Sequence, residues 1–385
     1  MGSDAPTSGS RLVFIDNLRT TIIILVIMLH LSITYGGEGT WYYMEANTDR
    51  VARLVLTIHN AIVQSFFMGC LFLISGYFTV ISFDRKGPRR FLIDRVIRLG
   101  IPMLVFDFVI QPFLIYWLVR HGVKQLDGSF GDWAASYYTS FHPGRGPLWF
   151  VEALLLFSLA YVFWRLMAPA RVPIHAEDPK PPRVVTLVVL ALFLGITTFL
   201  VRVWTPIGWS FKPLNFQICF FPQYIVMFIL GIVAYRRQWL IGIPKAMGGW
   251  ALALAGVSAF VLCPAFMVLG AAVPGDVSTC KGGLHWQALT TALWEQGLGV
   301  LLIVGLIVLF RERLNRPGWL SRKASANSYA VFVIHTPVLI VFTLLVRDIH
   351  LYPLVKFTLV TLIVVPLCFS LAALIRQLPG VQRVL

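Results

Sequence analysis

Apolar stretches of about 20 residues recur along the whole chain, and this recurrence limits what the protein can fold into. Each stretch is long enough to cross a hydrocarbon core of about 30 Å as an α-helix. Hydrophobic residues make up 58% of the 385 residues and charged residues only 13%, which is too little polar cover for a soluble domain of this size. We therefore predict an all-α, polytopic integral membrane protein with about ten transmembrane helices. The predicted spans are residues 14–35, 54–80, 99–119, 147–168, 184–203, 217–235, 246–272, 287–310, 328–346 and 352–375.

Lysine and arginine concentrate in alternate connections between these spans, and this asymmetry predicts an orientation because cytoplasmic segments retain positive charge. The densest clusters are DRKGPRRFLIDRVIR (84–98) and RERLNRPGWLSRK (311–323). We expect both clusters and both termini to be cytoplasmic. The predicted organisation is a short polar N-terminal segment (1–12), a ten-helix membrane domain (13–376) and a short cytoplasmic tail (377–385).

The net charge of +15 is explained by this topology and by contact with anionic membrane lipid, so we expect no nucleic-acid partner. The five cysteines and eight histidines show no metal-ligand spacing, and no metal site is predicted. The sequence also lacks a phosphate-binding glycine loop and the half-to-half similarity typical of inverted-repeat transporters.

The first span contains LRTTIIILVIMLH (18–30), with an arginine and a histidine eleven residues apart. Eleven residues make about three helical turns, so Arg19 and His30 share one face and lie about 16 Å apart along the axis. Arg19 is then at the cytoplasmic boundary, and His30 is nearer the outer surface, where a neutral imidazole can accept a proton. The alternatives are an anchoring arginine paired with Asp16 and a histidine with a purely structural hydrogen bond.

Several motifs, taken in order, resemble the membrane acyltransferase 3 family. Asp16, Leu18, Arg19 and His30 match its arginine–histidine signature in the first helix. The other matching stretches are FFMGCLFLISGYF (66–78), RVIRLGIPML (95–104), GPLWFVEALL (146–155) and NSYAVFVIHTPVLI (327–340). The resemblance spans nearly the whole chain, and within the family the chain is similar to the glucan succinyltransferase type.

This resemblance implies an O-acyltransferase of the bacterial inner membrane. It would move an acetyl or succinyl group from cytoplasmic acyl-CoA to a hydroxyl of a carbohydrate or other acceptor at the outer face. His30 would be the general base, with an acyl-histidine intermediate as the competing route. Arg19, Arg95 and Arg98 would bind the phosphates of coenzyme A, whereas the alternative for these arginines is a role in topology and lipid headgroup binding.

Carboxylates within the spans are further candidates. Glu152 either orients His30, binds the acceptor or pairs with Arg145 at the interface. Glu295, next to Gln296, requires a partner or must remain neutral, because an isolated charge at this depth is costly.

Four other side chains complete the candidate site. Ser75 and Ser328 are candidates for stabilising an oxyanion, although a Ser-Gly pair such as Ser75-Gly76 also permits close helix packing. His335 belongs to the late motif, where Pro337 frees a backbone carbonyl that a histidine can satisfy. Trp149 belongs either to an interfacial aromatic belt or to a sugar-stacking surface.

Two other function classes remain open from the sequence. A multi-pass transporter of a small polar or anionic solute would also have ten helices with buried charges. A structural or receptor-like membrane protein has no particular use for a cytoplasmic arginine cluster and an arginine–histidine stripe on one helix.

The predicted orientation can be tested by cysteine labelling. A cysteine introduced into 84–98 or 311–323 should react with a membrane-impermeant maleimide only after the membrane is opened, because both segments are predicted to be cytoplasmic. Cys280, in a predicted outer loop, provides the outside reference. Labelling of either basic segment in intact cells would contradict the orientation.

Overall fold

Helices make up the part of the chain that the structure describes. The computed structural model describes residues 12–47, 49–120, 129–139, 146–168, 181–211, 214–265, 277–316 and 318–385. Within those ranges, nine helical segments are long and apolar enough to cross a membrane. Extended pairing in the same ranges is limited to one antiparallel bridge between Phe211 and Phe216. The predicted all-α, polytopic membrane fold is confirmed.

The α-helices are numbered in chain order. They are α1 (Val13–Thr34), α2 (Arg50–Arg95), α3 (Ile101–Val105), α4 (Gln111–Arg120), α5 (Phe130–Thr139), α6 (Trp149–Met167), α7 (Val184–Trp204), α8 (Phe221–Arg236), α9 (Trp239–Gly242), α10 (Lys245–Val257), α11 (Trp286–Arg313), α12 (Trp319–Leu345) and α13 (Pro353–Ile375). Short π-helical turns adjoin α2, α3, α4 and α10 at Val96–Gly100, Phe106–Ile110 and Ser258–Leu262.

The longest apolar segment, Arg50–Leu118, contains two crossings rather than one. Its 69 residues are interrupted at Gly87, whose φ of 72° and ψ of 167° are not helical and strongly favour glycine. The rings of Phe83 and Phe91 lie 5.6 Å apart between centroids, whereas eight residues of continuous helix would separate them by about 12 Å. The chain therefore folds back at Gly87, and the second and third predicted spans are separate, as expected for ten crossings.

The start of α1 and the end of α13 lie at the same end of the bundle, which we call the N-terminal end. Asn17 donates to the carbonyl of Leu314 at 2.7 Å, just after α11. Arg376, just after α13, donates to the carbonyl of Ala326 at 2.6 Å, near the start of α12. An even number of crossings requires this arrangement of the first and last helices.

The segment between α1 and α2 is held at the opposite end of the bundle, which we call the distal end. The ammonium of Lys356, only 4% exposed, bonds both oxygens of Glu45 at 2.8 and 2.9 Å and the carbonyl of Arg347 at 3.2 Å. Asn47 donates to the carbonyl of Tyr35 at 2.9 Å. These contacts fix the residues between them against the ends of α1 and α13.

Two glycines allow α2 and α8 to cross with their backbones in contact. A Cβ atom added to Gly76 would collide with the carbonyl oxygen of Phe228, and one added to Gly231 would collide with the carbonyl oxygen of Leu73. Small residues serve this purpose in membrane helices because close backbone approach maximises packing. The packing interpretation of the Ser75-Gly76 pair therefore agrees with the geometry of Gly76.

Gly76→Ala should destabilise the protein by about 1–3 kcal/mol, because the added methyl group forces α2 away from the backbone of α8. The measurement is thermal or denaturant unfolding of the purified protein in detergent. Gly256→Ala, in α10, is the matched control, because its added methyl group meets open space. Equal stability of the two variants would contradict the proposed backbone contact.

Candidate active site

A cavity of about 620 Å³ lies at the distal end of the bundle, which is within the size range of small-molecule sites. His30 and Glu295 both contribute to its described lining, together with aromatic rings and side-chain amides. The aromatic and amide groups are Trp41, Tyr42, Phe67, Trp149, Phe220, Tyr224, Trp294, Phe332, Asn60, Gln64, Gln111, Asn215 and Gln217. The cavity therefore offers apolar faces and hydrogen-bonding groups to a polar, uncharged molecule.

His30 is held in the cavity wall by the loop that follows α1. The indole of Trp41 stacks on the imidazole with 3.7 Å between ring centroids and 15° between planes. The backbone carbonyl of His30 accepts from Thr34 at 3.0 Å, which is a contact within the helix. The buried Nδ1 atom of His30 has no hydrogen-bond partner among the described residues. The imidazole is therefore oriented by stacking.

His335 lies beside His30, although 305 residues separate them in sequence. The two imidazoles are nearly parallel, with 5.4 Å between centroids and 14° between planes. His335 is fully buried, and its Nδ1 lies 2.6 Å from the carbonyl oxygen of Phe332. Since a carbonyl only accepts, Nδ1 carries the proton and Nε2 is left as an acceptor. That Nε2 has no partner in the described part of the chain.

Tyr42 connects the same loop to the third crossing. Its hydroxyl donates to Oε1 of Gln111 at 2.6 Å. Burial raises the pKa of Tyr42 well above its ordinary value, so the phenol is protonated and acts as a donor. Its ring also meets Trp41 edge to face at 5.1 Å, which supports the indole that covers His30.

Glu295 is bound by a buried arginine. Arg202, in α7, donates through Nη2 to both carboxylate oxygens at 2.9 and 2.8 Å, and its side chain is fully buried. Of the two alternatives for Glu295, a partner or a neutral carboxyl, the structure shows a partner. Arg202 was missed from the sequence because it lies near the end of an apolar span, where an arginine usually anchors at the interface. Its long-range pairing with a carboxylate on α11 left no local signal.

The polar side chains around Glu295 form a continuous chain of hydrogen bonds. Gln296 donates to Glu295 at 3.3 Å, and Gln223 donates both to Gln296 at 3.0 Å and to the carbonyl of Ser65 at 2.7 Å. This chain links α11, α8 and α2 behind the cavity. The two buried glutamines thus find hydrogen-bond partners in each other, in Glu295 and in the Ser65 carbonyl, as buried polar groups at membrane depth require.

Arg19 lies at the N-terminal end of the bundle, about three helical turns from the cavity. It donates to Asp16 at 3.1 Å and to the carbonyl of Ser325, in α12, at 3.3 Å. The next residue, Thr20, shares a 2.8 Å hydrogen bond with Ser328, which is fully buried. Ser328 therefore lies near Arg19 and outside the described cavity lining.

Arg95 and Arg98 lie near the same helix, α12. Tyr329, next to Ser328, donates a short hydrogen bond to the carbonyl of Arg98. The Arg95 guanidinium lies over the ring of Phe91, 4.9 Å from its centroid, and its buried Nε has no partner within the described residues. The structure thus brings all three predicted phosphate-binding arginines to α12 at one end of the bundle.

The remaining predicted residues occupy different surroundings. Trp149 lines the cavity and stacks on Tyr224 with 5.4 Å between centroids. Glu152 is buried in the first turn of α6, and neither Glu152 nor Ser75 belongs to the described cavity lining. Arg145, the predicted partner of Glu152, lies outside the described residues. No group of three or more histidine, cysteine or acidic side chains in the described ranges is arranged to hold a metal ion.

Comparison with known proteins adds to this geometry. A family profile described as "Acyltransferase domain" matches residues 12–373, nearly the whole chain. The glucans biosynthesis protein C of Escherichia coli K12 is 29% identical over 238 residues, and the proteins of the same name from the O157:H7 and O139:H28 strains have the same identity. Each alignment covers 60% of this chain and 60% of the relative, less than two thirds of the relatives' length.

No solved structure matches the chain at a significant level. The profile match covers nearly all of the described helices and includes every candidate site residue. The chain therefore belongs to the acyltransferase 3 family, a family of membrane acyltransferases that transfer groups other than aminoacyl groups.

Proposed function

We propose that the protein is an O-acyltransferase that carries an acetyl or succinyl group from cytoplasmic acyl-CoA to a hydroxyl of a carbohydrate acceptor. The observation that carries this proposal is that one helix, α1, has Arg19 at the arginine-rich end of the bundle and His30 in the distal cavity. A donor with an anionic end and a long flexible arm, such as acyl-CoA, is suited to this separation. We further propose that the N-terminal end faces the cytoplasm of a bacterial inner membrane.

The arginines at the N-terminal end would bind the donor. Arg19, Arg95 and Arg98 all contact or border α12, and guanidinium groups bind phosphate oxygens bidentately. The Nε of Arg95 has no protein partner within the described chain, which leaves a donor available for a phosphate oxygen. The pantetheine arm would then extend along α1 and bring the thioester to His30.

His30 would act on the acceptor. Its imidazole takes the proton of the acceptor hydroxyl as the oxygen attacks the thioester carbonyl. The carbon–sulfur bond then breaks, and coenzyme A leaves as the thiolate, which takes up a proton. In the competing route, His30 itself first accepts the acyl group. Trp41 would keep the ring in one orientation for either route, because it stacks on the imidazole face at 3.7 Å.

The cavity supports a carbohydrate acceptor. Indole and phenol rings provide flat apolar faces, and amides such as Gln64 and Gln111 provide both donors and acceptors for sugar hydroxyls. The name of the Escherichia coli relatives refers to glucan biosynthesis, which agrees with a glucan acceptor. A direct test reconstitutes the purified protein in liposomes and follows transfer of radiolabel from acetyl-CoA or succinyl-CoA to a gluco-oligosaccharide. Absence of transfer from both donors would contradict the proposal.

His30→Ala should lower acyl transfer by about 10²–10⁴-fold, because the variant lacks the group that deprotonates the acceptor. Binding of acyl-CoA, followed by thermal stabilisation in detergent, should be unchanged, since the phosphate end is about 16 Å away. His59→Ala is the matched control: His59 is a partly buried histidine of α2 that does not line the cavity. Near-normal acyl transfer by the His30→Ala variant would show that the imidazole is not the general base and has a structural role.

Replacing both Arg95 and Arg98 by lysine should weaken acyl-CoA binding by about 1.5–3 kcal/mol for each charge-assisted hydrogen bond that the substitution removes. Lysine keeps the positive charge that determines topology but cannot hold a phosphate bidentately, so membrane insertion should be normal. The control is lysine at Arg89 and Arg90, two exposed arginines of the same cluster. Unchanged donor affinity in the Arg95/Arg98 variant would rule out this pair as the phosphate site.

A further inference from the structure

The Arg202–Glu295 pair has hydrogen-bonding positions that no group in the described part of the chain fills. A carboxylate offers about four lone-pair sites, and Glu295 receives one contact from Arg202 on each oxygen and one weak contact from Gln296 on Oε1. Its Oε2 therefore retains a free acceptor position. The Nε and Nη1 atoms of Arg202 are also buried without a hydrogen-bond partner in the described part of the chain.

An incompletely satisfied buried ion pair contributes little to stability. Removing two charges from water costs several kcal/mol per ion, and their attraction offsets this cost only when further hydrogen bonds complete the site. Arg202 is fully buried, with its guanidinium 5.2 Å from the centroid of Phe220, while Glu295 reaches the cavity surface. The carboxylate is thus the member of the pair that a ligand in the cavity can reach.

Aromatic and hydroxyl groups line the same cavity as Glu295. Trp294, one residue before Glu295, lines the cavity, and its Nε1 donates to the carbonyl of Ser258 at 3.2 Å, which fixes the indole. Trp149 stacks on Tyr224, whose hydroxyl lies 3.5 Å from the amide of Gln64. A carboxylate beside rigid aromatic faces is suited to a sugar ring, which offers hydroxyl donors at its edge and apolar C–H groups on its faces.

The charges of the cavity balance one another. Besides Glu295, the charged side chains in the described lining are Glu38 and Lys281, which form an ion pair at 2.7 Å. Glu295 is balanced by Arg202. An anionic ligand would meet the Glu295 carboxylate without a compensating free cation in this lining, so the site favours a neutral molecule.

We propose that Glu295, bound by Arg202, forms an acceptor subsite in which Oε2 accepts a hydrogen bond from a hydroxyl of a neutral sugar residue. This subsite rests on the proposed function, because it assigns the acceptor to the cavity that contains His30. It also adds a selectivity: neutral glycans bind, and glycans that carry carboxylates are rejected.

The test measures binding of linear glucohexaose to the purified protein in detergent by isothermal titration calorimetry. Glu295→Gln should weaken binding by about tenfold or more, because the variant cannot form the charge-assisted hydrogen bond. It should raise the KM for the oligosaccharide more than it lowers kcat, and leave stabilisation by acetyl-CoA unchanged. Binding of a hexameric oligogalacturonate should improve relative to glucohexaose, since the repelling carboxylate is gone.

Two further variants keep the test decisive. Glu295→Gln leaves Arg202 buried without its counter-ion, so R202Q/E295Q, with a neutral amide pair, is measured in parallel. Asp84→Asn removes one partner of a distant ion pair, the 3.1 Å contact with Arg165, and should bind glucohexaose as the wild type does. The subsite would be overturned if both Glu295 variants bound glucohexaose as tightly as the wild type does. It would also be overturned if the wild type did not bind glucohexaose. If the wild type binds glucohexaose through Glu295 but transfers no acyl group to it, the proposed transfer reaction is wrong and the subsite stands.

Discussion

A hydrocarbon environment supplies no hydrogen-bond partners, and this constraint determines the rest of the structure. Backbone groups are satisfied within helices, and irregular backbone in the described chain is found between helices, as at Gly87 and in the loop after α1. Buried charged side chains likewise need partners inside the protein. They find them in segments that are distant in sequence, as Arg202 does in Glu295 and Lys356 in Glu45.

The two ends of the bundle use polar groups differently. At the N-terminal end, the guanidinium of Arg19 donates to the backbone carbonyl of Ser325, and the backbone carbonyl of Arg98 accepts from Tyr329. These hydrogen bonds hold both residues against α12. At the distal end, aromatic stacking and a balanced ion pair orient the side chains. The planar guanidinium groups at the N-terminal end are suited to binding an anionic donor. The flat aromatic faces and neutral side-chain amides at the distal end are suited to binding an uncharged acceptor.

The sequence predicted the helices well because span length and apolar composition are local properties. It also predicted that Arg19 and His30 lie at different depths on one helix, since helical geometry alone determines this. Pairing between distant segments was not predictable: nothing local distinguishes Arg202 from an interfacial arginine or identifies His335 as the neighbour of His30. The stacking of Trp41 on His30 was likewise not predictable, because loop conformation depends on the buried contact between Lys356 and Glu45.

The stacking of Trp41 on His30 has a consequence for how the family can diversify. One face of the imidazole is covered by an indole that belongs to a short connecting segment rather than to a membrane helix. The helix supplies the imidazole, and the loop determines which of its faces is covered. Substitutions in a loop are tolerated more readily than changes in a packed helix, so evolution has a route to new approach geometries that leaves the scaffold intact.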